Sequence, residues 1–336
     1  MSMNLHYENK APVADILNGP TATLSLVKGD SAPNKLYFGN SPDVIRTLIG
    51  QGLKVDLVYI DPPYGTGSKF MIGKERTSTI SSSLKDNLAY DDSLCGDQHL
   101  ELMRTSFILL NEVMSENASI YVHIDVKSSH YFKLLLDEVF GVENFRNDIA
   151  RIKCNPKNSR RKMYGNIRDV VLFYTKSSKY IWNDVTIPHT KDDIAASFKK
   201  IDPVTGKRYT TIPLHAPGES KSGKSSSRWR DKLPPKGRHW RTDPAILEEW
   251  DKQGLIEWSG NGTPRKKRFE QEARLKGKKV QDLWIFKDPP KPQYPTQKNL
   301  EMLEMIVKTS STPDSVVMDC FSGSGTTLVA AENCYR

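Results

Sequence analysis

Four short runs of β-branched and aromatic residues recur along the chain with helix-period patterns between them, and this alternation limits the fold more than any other feature. VDLVYID (55–61), ASIYVHID (118–125), RDVVLFYT (168–175) and SVVMDCF (315–321) read as buried strands. KLYFG (35–39) reads as a shorter one. SPDVIRTLIG (41–50), the stretch from His99 to Leu110, SSHYFKLLLDEVFG (128–141) and TQKNLEMLEMIVKTSS (296–311) carry helical periodicity. In the first helix Ser41 is the expected cap, with Pro42 at the first helical position. Strands alternating with helices predict an α/β fold around a parallel sheet.

At 336 residues, with 37% hydrophobic and 26% charged residues, the chain has the composition of a soluble globular protein. It carries no signal-peptide pattern, and no apolar run approaches the ~20 residues a membrane helix needs. A cytoplasmic protein is expected. Cys95, Cys154, Cys320 and Cys334 form no CxxC pair and no zinc spacing, which predicts reduced thiols and no metal site.

The α/β pattern breaks off between about 183 and 290. Long apolar runs disappear, and Trp229, Trp240, Trp250, Trp258 and Trp284 punctuate a basic background rich in Pro and Gly. The predicted organisation is an N-terminal arm (1–33), a first α/β half (34–182), an inserted domain (183–290) and a second α/β half (291–336). Residues 66–96, polar and rich in Ser and Thr, are expected to form a mobile loop. The formal net charge is +9, and it is unevenly spread. From Arg151 to Lys179 nine basic residues face one acid, from Lys199 to Arg241 twelve face three, and from Arg265 to Lys279 eight face two. Such runs are either solvated faces or a nucleic-acid surface; their interleaving with tryptophans favours the latter.

Two strand ends carry unusual chemistry. VDLVYI stops at Asp61-Pro62-Pro63-Tyr64, where the prolines cannot continue a ladder and hold an acid and an aromatic stiffly in place. SVVM stops at Asp319 and leads into Cys320-Phe321-Ser322-Gly323-Ser324-Gly325-Thr326-Thr327, opening the helical pattern GSGTTLVAAE. This turn lacks the lysine of a Walker loop and the third small residue of the dinucleotide fingerprint. It is either a loop that binds a ligand through free helix N–H groups or a plain strand–helix connection.

Together, and in this order, DPPY (61–64) and DCFSGSGTT (319–327) resemble the S-adenosylmethionine-dependent DNA amino-methyltransferases, most closely the beta class, in which the catalytic motif precedes the cofactor motif. KLYFGN (35–40), IYVHID (120–125), FGVENF (140–145) and YPTQKN (294–299) are similar to further segments of that family. The resemblance implies a Rossmann-like class I methyltransferase sheet with helices on both faces and an inserted target-recognition domain. It implies that Asp61 and the Pro62 carbonyl accept hydrogen bonds from the target amine, that Pro63 stiffens the turn, and that Tyr64 stacks on a base rotated out of the duplex. Asp319, Phe321, Ser322, Gly323, Ser324, Gly325 and Thr326 would line the cofactor site, with Thr296, Lys298 and Asn40 beside them. Lys298, a lone cation read as lying on a helix, is otherwise a solvated surface charge. An aspartate at the head of the motif resembles adenine-N6 enzymes; the alternatives are cytosine-N4 methylation and a non-catalytic DNA-recognition module.

Double-stranded DNA is the expected partner. A homodimer is implied by the resemblance, and a restriction endonuclease is a further candidate partner. The candidate DNA contacts are Arg160, Arg161 and Lys162 in the first basic stretch, and Arg265, Lys266, Lys267 and Arg268 in the third. Arg228, Arg230, Arg238, His239 and Arg241 are the candidate base readers, because arginine grips guanine edges bidentately. The sequence ends at Arg336, one helix past the glycine turn. The resemblance implies a further strand bearing a ribose-binding acid, so the second α/β half is expected to be truncated.

Overall fold

The chain divides into two units, one made of Met1–Val185 with Val280–Arg336 and the other of Thr186–Lys279. The structure is a computed structural model that describes residues 4–28, 34–65, 68–72, 87–92, 94, 96–156, 160, 162–220, 223–292, 294 and 296–336, except for the side chains of 68–72 and 87–91. In chain order, the first unit begins with α1 (Val13–Leu17), α2 (Ser41–Gly50), β1 (Val55–Ile60), β2 (Ser68–Ile72), β3 (Asn87–Asp92), α3 (Gly96–Val113), β4 (Met114–Ile124), α4 (Ser129–Phe140), β5 (Phe145–Ile152) and β6 (Arg168–Thr175). The second unit holds β7 (Thr186–Ile187), α5 (Lys191–Ser197), β8 (Lys200–Ile201), β9 (Arg208–Pro213), β10 (His215–Pro217), β11 (Arg238–Trp240), α6 (Pro244–Lys252), β12 (Ile256–Trp258), β13 (Pro264–Phe269), α7 (Glu270–Lys276) and β14 (Lys278–Lys279). The first unit resumes with β15 (Leu283–Trp284), α8 (Leu300–Ser310), β16 (Val317–Met318) and α9 (Thr326–Asn333).

The sheet of the first unit has the order β15-β5-β6-β4-β1-β16. It is mixed where the sequence predicts a parallel one. β1 runs parallel to β4 and β16, and β15 parallel to β5, but β6 is antiparallel to both β4 and β5. RDVVLFYT is buried on both faces in either orientation, so its composition does not report direction. Along the central strands the two faces separate by parity. Val58, Ile60, Ile120, Val122, Ile124, Val170 and Leu172 pack into one core with Met103 and Phe107 of α3 and Phe132 and Leu136 of α4. Tyr121 faces the other way, where its hydroxyl meets Ser310 Oγ of α8 at 2.8 Å. Helices therefore cover both faces of the sheet, as the alternating pattern of the sequence predicts.

Four local expectations change. KLYFG forms no strand: Leu36 and Phe38 are exposed, and among the described residues no strand pairs with it. The cap of α2 is Asn40, whose side chain accepts from Asp43 N–H, and Ser41 is already helical. Part of the segment 66–96 is ordered, since Ser68–Ile72 pairs antiparallel with Asn87–Asp92; positions 66–67, 73–86, 93 and 95, including Cys95, lie outside the described residues. Lys298 precedes α8, whose cap is Asn299, and does not lie on the helix.

The second unit is built on the antiparallel sheet β12-β13-β9-β8. Its tryptophans are mostly structural. Trp229 and Trp240 are buried with Leu214, Leu247 and Ile256, and Trp229 packs edge-on to Trp240 and stacks on Trp258. In a unit this small, aromatic rings supply the apolar area that long aliphatic runs would otherwise provide. The expectation that these tryptophans line a nucleic-acid surface is thereby corrected for Trp229 and Trp240. Among the described residues, no helix is long and apolar enough to cross a membrane.

Candidate active site

β1 ends at Ile60 because Pro62 and Pro63 cannot donate to a ladder, and the turn that follows is clamped on both sides. Gly65 N–H donates to Asp92 Oδ1 at 2.8 Å, and Ser128 Oγ donates to the Tyr64 carbonyl at 3.1 Å. Pro62 is buried; Asp61, Pro63 and Tyr64 are partly exposed. Tyr64 O–H donates to Asp61 Oδ1 at 2.5 Å, and the Lys298 ammonium donates to Asp61 Oδ2. Burial, reinforced by the Asp61 charge, pushes the Tyr64 hydroxyl well above the ordinary phenol range, so it stays a donor.

Lys298 is buried, against the reading of it as a solvated charge. Besides Asp61, its ammonium donates to the Thr296 carbonyl at 3.1 Å and lies 5.9 Å from the centre of the Tyr64 ring. Thr296 adopts a left-handed backbone conformation (φ 61°), which turns that carbonyl toward the lysine two residues on.

β16 lies beside β1, with Leu57 opposite Val317 and Val58 opposite Met318, so the two strand ends bearing Asp61 and Asp319 are neighbours. Asp319 Oδ1 accepts from Phe321 N–H at 3.0 Å and Oδ2 from Thr327 Oγ1 at 2.6 Å. Burial nevertheless pushes its carboxyl up to about 6, with the Asp61 charge adding to the shift and the Thr327, Phe321 and Lys298 groups opposing it. The turn that follows needs its glycines: Gly323 (φ 51°) and Gly325 (φ 73°) are left-handed, and Gly325 caps α9. Ser322 receives Gly325 N–H on its carbonyl at 2.7 Å, and the Ser324 and Thr326 hydroxyls meet at 2.7 Å. Asp61, Tyr64, Thr296, Lys298, Asp319 and the turn 321–326 thus form one cluster. Asn40 is exposed and occupied in capping α2. Thr327 was not singled out from the sequence, although its place one turn from Asp319 was a usable signal.

The candidate DNA contacts divide by what each already does. Arg160 and Lys162 are exposed, and Arg161 lies outside the described residues. Arg228 and Arg241 are exposed, Arg238 meets His215 Nδ1 at 3.2 Å, and His239 meets the Gly218 carbonyl at 2.7 Å. Arg230 is held by Glu248 and Asp251 beside the Trp229 and Trp258 rings. Arg265 donates to Thr211, Lys266 lies 3.2 Å from the centre of the Trp250 ring, and Lys267 pairs with Asp202 at 2.6 Å. Arg268 is half-buried on β13 opposite Thr210. Among the described residues, no group of three or more His, Cys, Asp or Glu is arranged to hold a metal.

A family model described as "DNA methylase" matches residues 55–336, from the strand before Asp61 to the last residue of the sequence. The chain belongs to the DNA methylase family. It is 35% identical to the type II methyltransferase M.EcaI of Enterobacter cloacae over 347 aligned positions, covering 99% of this chain and 73% of that one. It is 24% identical to the Mod subunit of the type III restriction-modification enzyme StyLTI of Salmonella typhimurium, covering 91% of this chain and 51% of that one. Among solved structures it resembles the M1.HpyAVI–SAM complex, with 17% identity, a TM-score of 0.43, and coverage of 89% of this chain and 88% of that one. The methylase is therefore a DNA methyltransferase carrying its acid–proline–tyrosine turn and its glycine turn at neighbouring strand ends.

Proposed function

We propose that this methylase is a beta-class enzyme that transfers the methyl group of S-adenosylmethionine to the N6 amine of an adenine rotated out of double-stranded DNA. The observation that carries the reading is Asp61, held at the end of β1 by two prolines, bonded to Tyr64 and standing beside the Asp319 strand end. The donor set fits the cofactor's amino-acid head: Asp319 is an acceptor for its ammonium, and Lys298 with the free N–H groups of α9 suits its carboxylate. Gly323 and Gly325 keep the lining free of side chains: a Cβ built on either lies no closer than 3.8 Å to neighbouring atoms.

The exocyclic amine is a poor nucleophile because its lone pair is shared with the ring. Asp61 has one lone pair left on each oxygen after Tyr64 and Lys298 are served. One of these, with the Pro62 carbonyl, accepts the amine's N–H bonds and localises its nitrogen lone pair. Tyr64 supplies the face on which the extruded base stacks. The bound cofactor supplies an electrophilic methyl on a sulfonium. The lone pair so localised would take up that methyl, the sulfonium leaving as a neutral thioether, and Asp61 would receive the proton that the nitrogen sheds. Rigid placement by Pro62 and Pro63 contributes through effective molarity.

In this reading the target-recognition insert is 183–290, whose compact part is Thr186–Lys279, with residues 34–182 the catalytic half and 291–336 the cofactor half. Arg160, Lys162, Arg228 and Arg241, all exposed, serve DNA phosphates or bases. The names of its relatives support a place in restriction-modification, with an endonuclease partner, and a homodimer is proposed by family resemblance. The test is transfer of labelled methyl to unmethylated DNA of mixed sequence, followed by digestion to nucleosides. N6-methyladenine, absent with Asp61→Ala, is expected. N4-methylcytosine would replace the base assignment, and cofactor binding without transfer to any DNA would refute the catalytic reading.

A further inference from the structure

Four neighbouring strands each contribute one buried polar side chain to a chain of hydrogen bonds on the α8 face of the sheet. Tyr59 of β1 meets His123 Nδ1 of β4 at 2.8 Å, and His123 Nε2 meets Asp169 Oδ2 of β6 at 3.2 Å. Asp169 then meets Arg151 of β5 at 3.4 Å and Lys153 at 2.7 Å. His123 and Arg151 have no exposed surface at all. An ionised carboxylate only accepts, so His123 Nε2 carries the proton it gives to Asp169, and Nδ1 accepts from Tyr59. Every member of the chain is satisfied. A buried charge pair of this kind adds little net stability over apolar residues of similar volume.

The far end of the chain indicates what it does. Arg151 Nε donates to the Phe286 carbonyl at 2.7 Å, and its Nη2 to Asp288 at 2.6 Å. Asn299 Nδ2 reaches back to the Lys287 carbonyl at 2.9 Å. Phe286 and Asp288 are thus tied to the sheet and Asn299 to Lys287, and Lys298, next to Asn299, closes the circuit on Asp61, two residues beyond Tyr59 at the same strand end.

We propose that Arg151, Asp169 and His123 are positioning residues that lock Phe286 and Asp288 to the sheet and, through the Asn299–Lys287 bond, set Lys298 against Asp61. The inference rests on the proposed reaction for its kinetic consequence, though not for its structural one. Arg151→Met with Asp169→Asn removes both buried charges while leaving an amide oxygen to accept from His123; the ions that lose a partner, Lys153 and Asp288, are both partly exposed and can turn to water. Two readouts are taken: the rate of acetylation of Lys298 by acetic anhydride, followed by mass spectrometry, and single-turnover methyl transfer. In the folded double variant Lys298 acetylation rises by roughly tenfold or more, as a buried amine becomes accessible, and methyl transfer falls by a similar factor. DNA binding stays unchanged. Asp288→Ala, at the half-exposed end of the chain, serves if the double variant does not fold, and it shifts both readouts the same way by a smaller factor. Unchanged Lys298 reactivity in a folded variant overturns the proposal, whatever the transfer assay gives. Altered Lys298 reactivity in a protein that methylates no DNA supports the positioning role and refutes the reaction.

Discussion

Replacing Asp319 by Asn tests the electrostatics of the site without reference to any ligand. Burial pushes this carboxyl from 3.8 up to about 6, against the hydrogen bonds that Thr327 and the Phe321 N–H give to its ionised form. The folded chain therefore binds this proton more tightly than the unfolded chain. The stability the proton confers is fully present below the unfolded value and is lost as pH rises through the folded one. The full shift corresponds to about 3 kcal/mol, of which about 2 kcal/mol falls between pH 4.5 and pH 7.5. Asn does not titrate, so the stability of Asp319→Asn relative to wild type should rise by that amount over the same interval. Urea unfolding of both proteins at several pH values measures it, and the difference cancels the other titrating carboxylates. A constant difference across the range, or one that falls as pH rises, would refute the placement of Asp319 as a half-buried acid with a raised pKa.

Other substitutions separate ring from hydroxyl, and backbone from core. Tyr64→Phe keeps the stacking face and removes only the donor to Asp61, so methyl transfer should fall several-fold less than in Tyr64→Ala. The alanine variant additionally loses a stacking contact worth about 1–3 kcal/mol, read as weakened binding of target-site DNA in a titration. Gly277→Ala should destabilise the protein by about 2 kcal/mol or more in urea unfolding, because φ is 66° and a Cβ there would lie 2.8 Å from the Ile187 carbonyl oxygen. Trp229→Ala, which empties the centre of the small aromatic core, should cost about 3–5 kcal/mol, and an unchanged thermal midpoint would show that Trp229 is not core.

The central strands were legible because each is buried on both faces and so reads as an unbroken β-branched run. β5 was not, since FRNDIARI mixes Arg, Asn and Asp with only Ile149 and Arg151 among its fully buried members, and one of those is a cation. The reversal of β6 was hidden as well. β5 and β6 are joined by a long basic segment with no tight-turn signal, and direction in a sheet is set by such connections, not by strand composition. The acids at strand ends were legible from the prolines and glycines that must follow them. The partner of Asp61 was not, because Lys298 is 237 residues away in sequence and its neighbours YPTQKN look like an ordinary polar loop. The buried His123 carried a faint signal, a titratable residue inside an otherwise apolar strand, which its pairing with Asp169 explains.

The number of cations in the chain and the number free to meet DNA differ. The three basic stretches look equivalent as strings, but a cation already paired with a carboxylate of the protein releases little counterion when a phosphate arrives. Lys267 is bound to Asp202, Arg230 to Glu248 and Asp251, and Lys153 to Asp169, and Lys266 lies against the Trp250 ring. Burial lowers the pKa of Lys266 as well, because desolvation disfavours its charged form. Arg160, Lys162, Arg228 and Arg241 remain exposed. If the exposed set carries the phosphate contacts, Arg241→Ala should make the dependence of log affinity on log salt shallower by about 0.9. Lys267→Ala should instead leave that slope unchanged and lower the stability of the protein. Equal slopes for Arg241→Ala and wild type would remove Arg241 from the interface, and a shallower slope for Lys267→Ala would mean that its pairing with Asp202 yields to DNA.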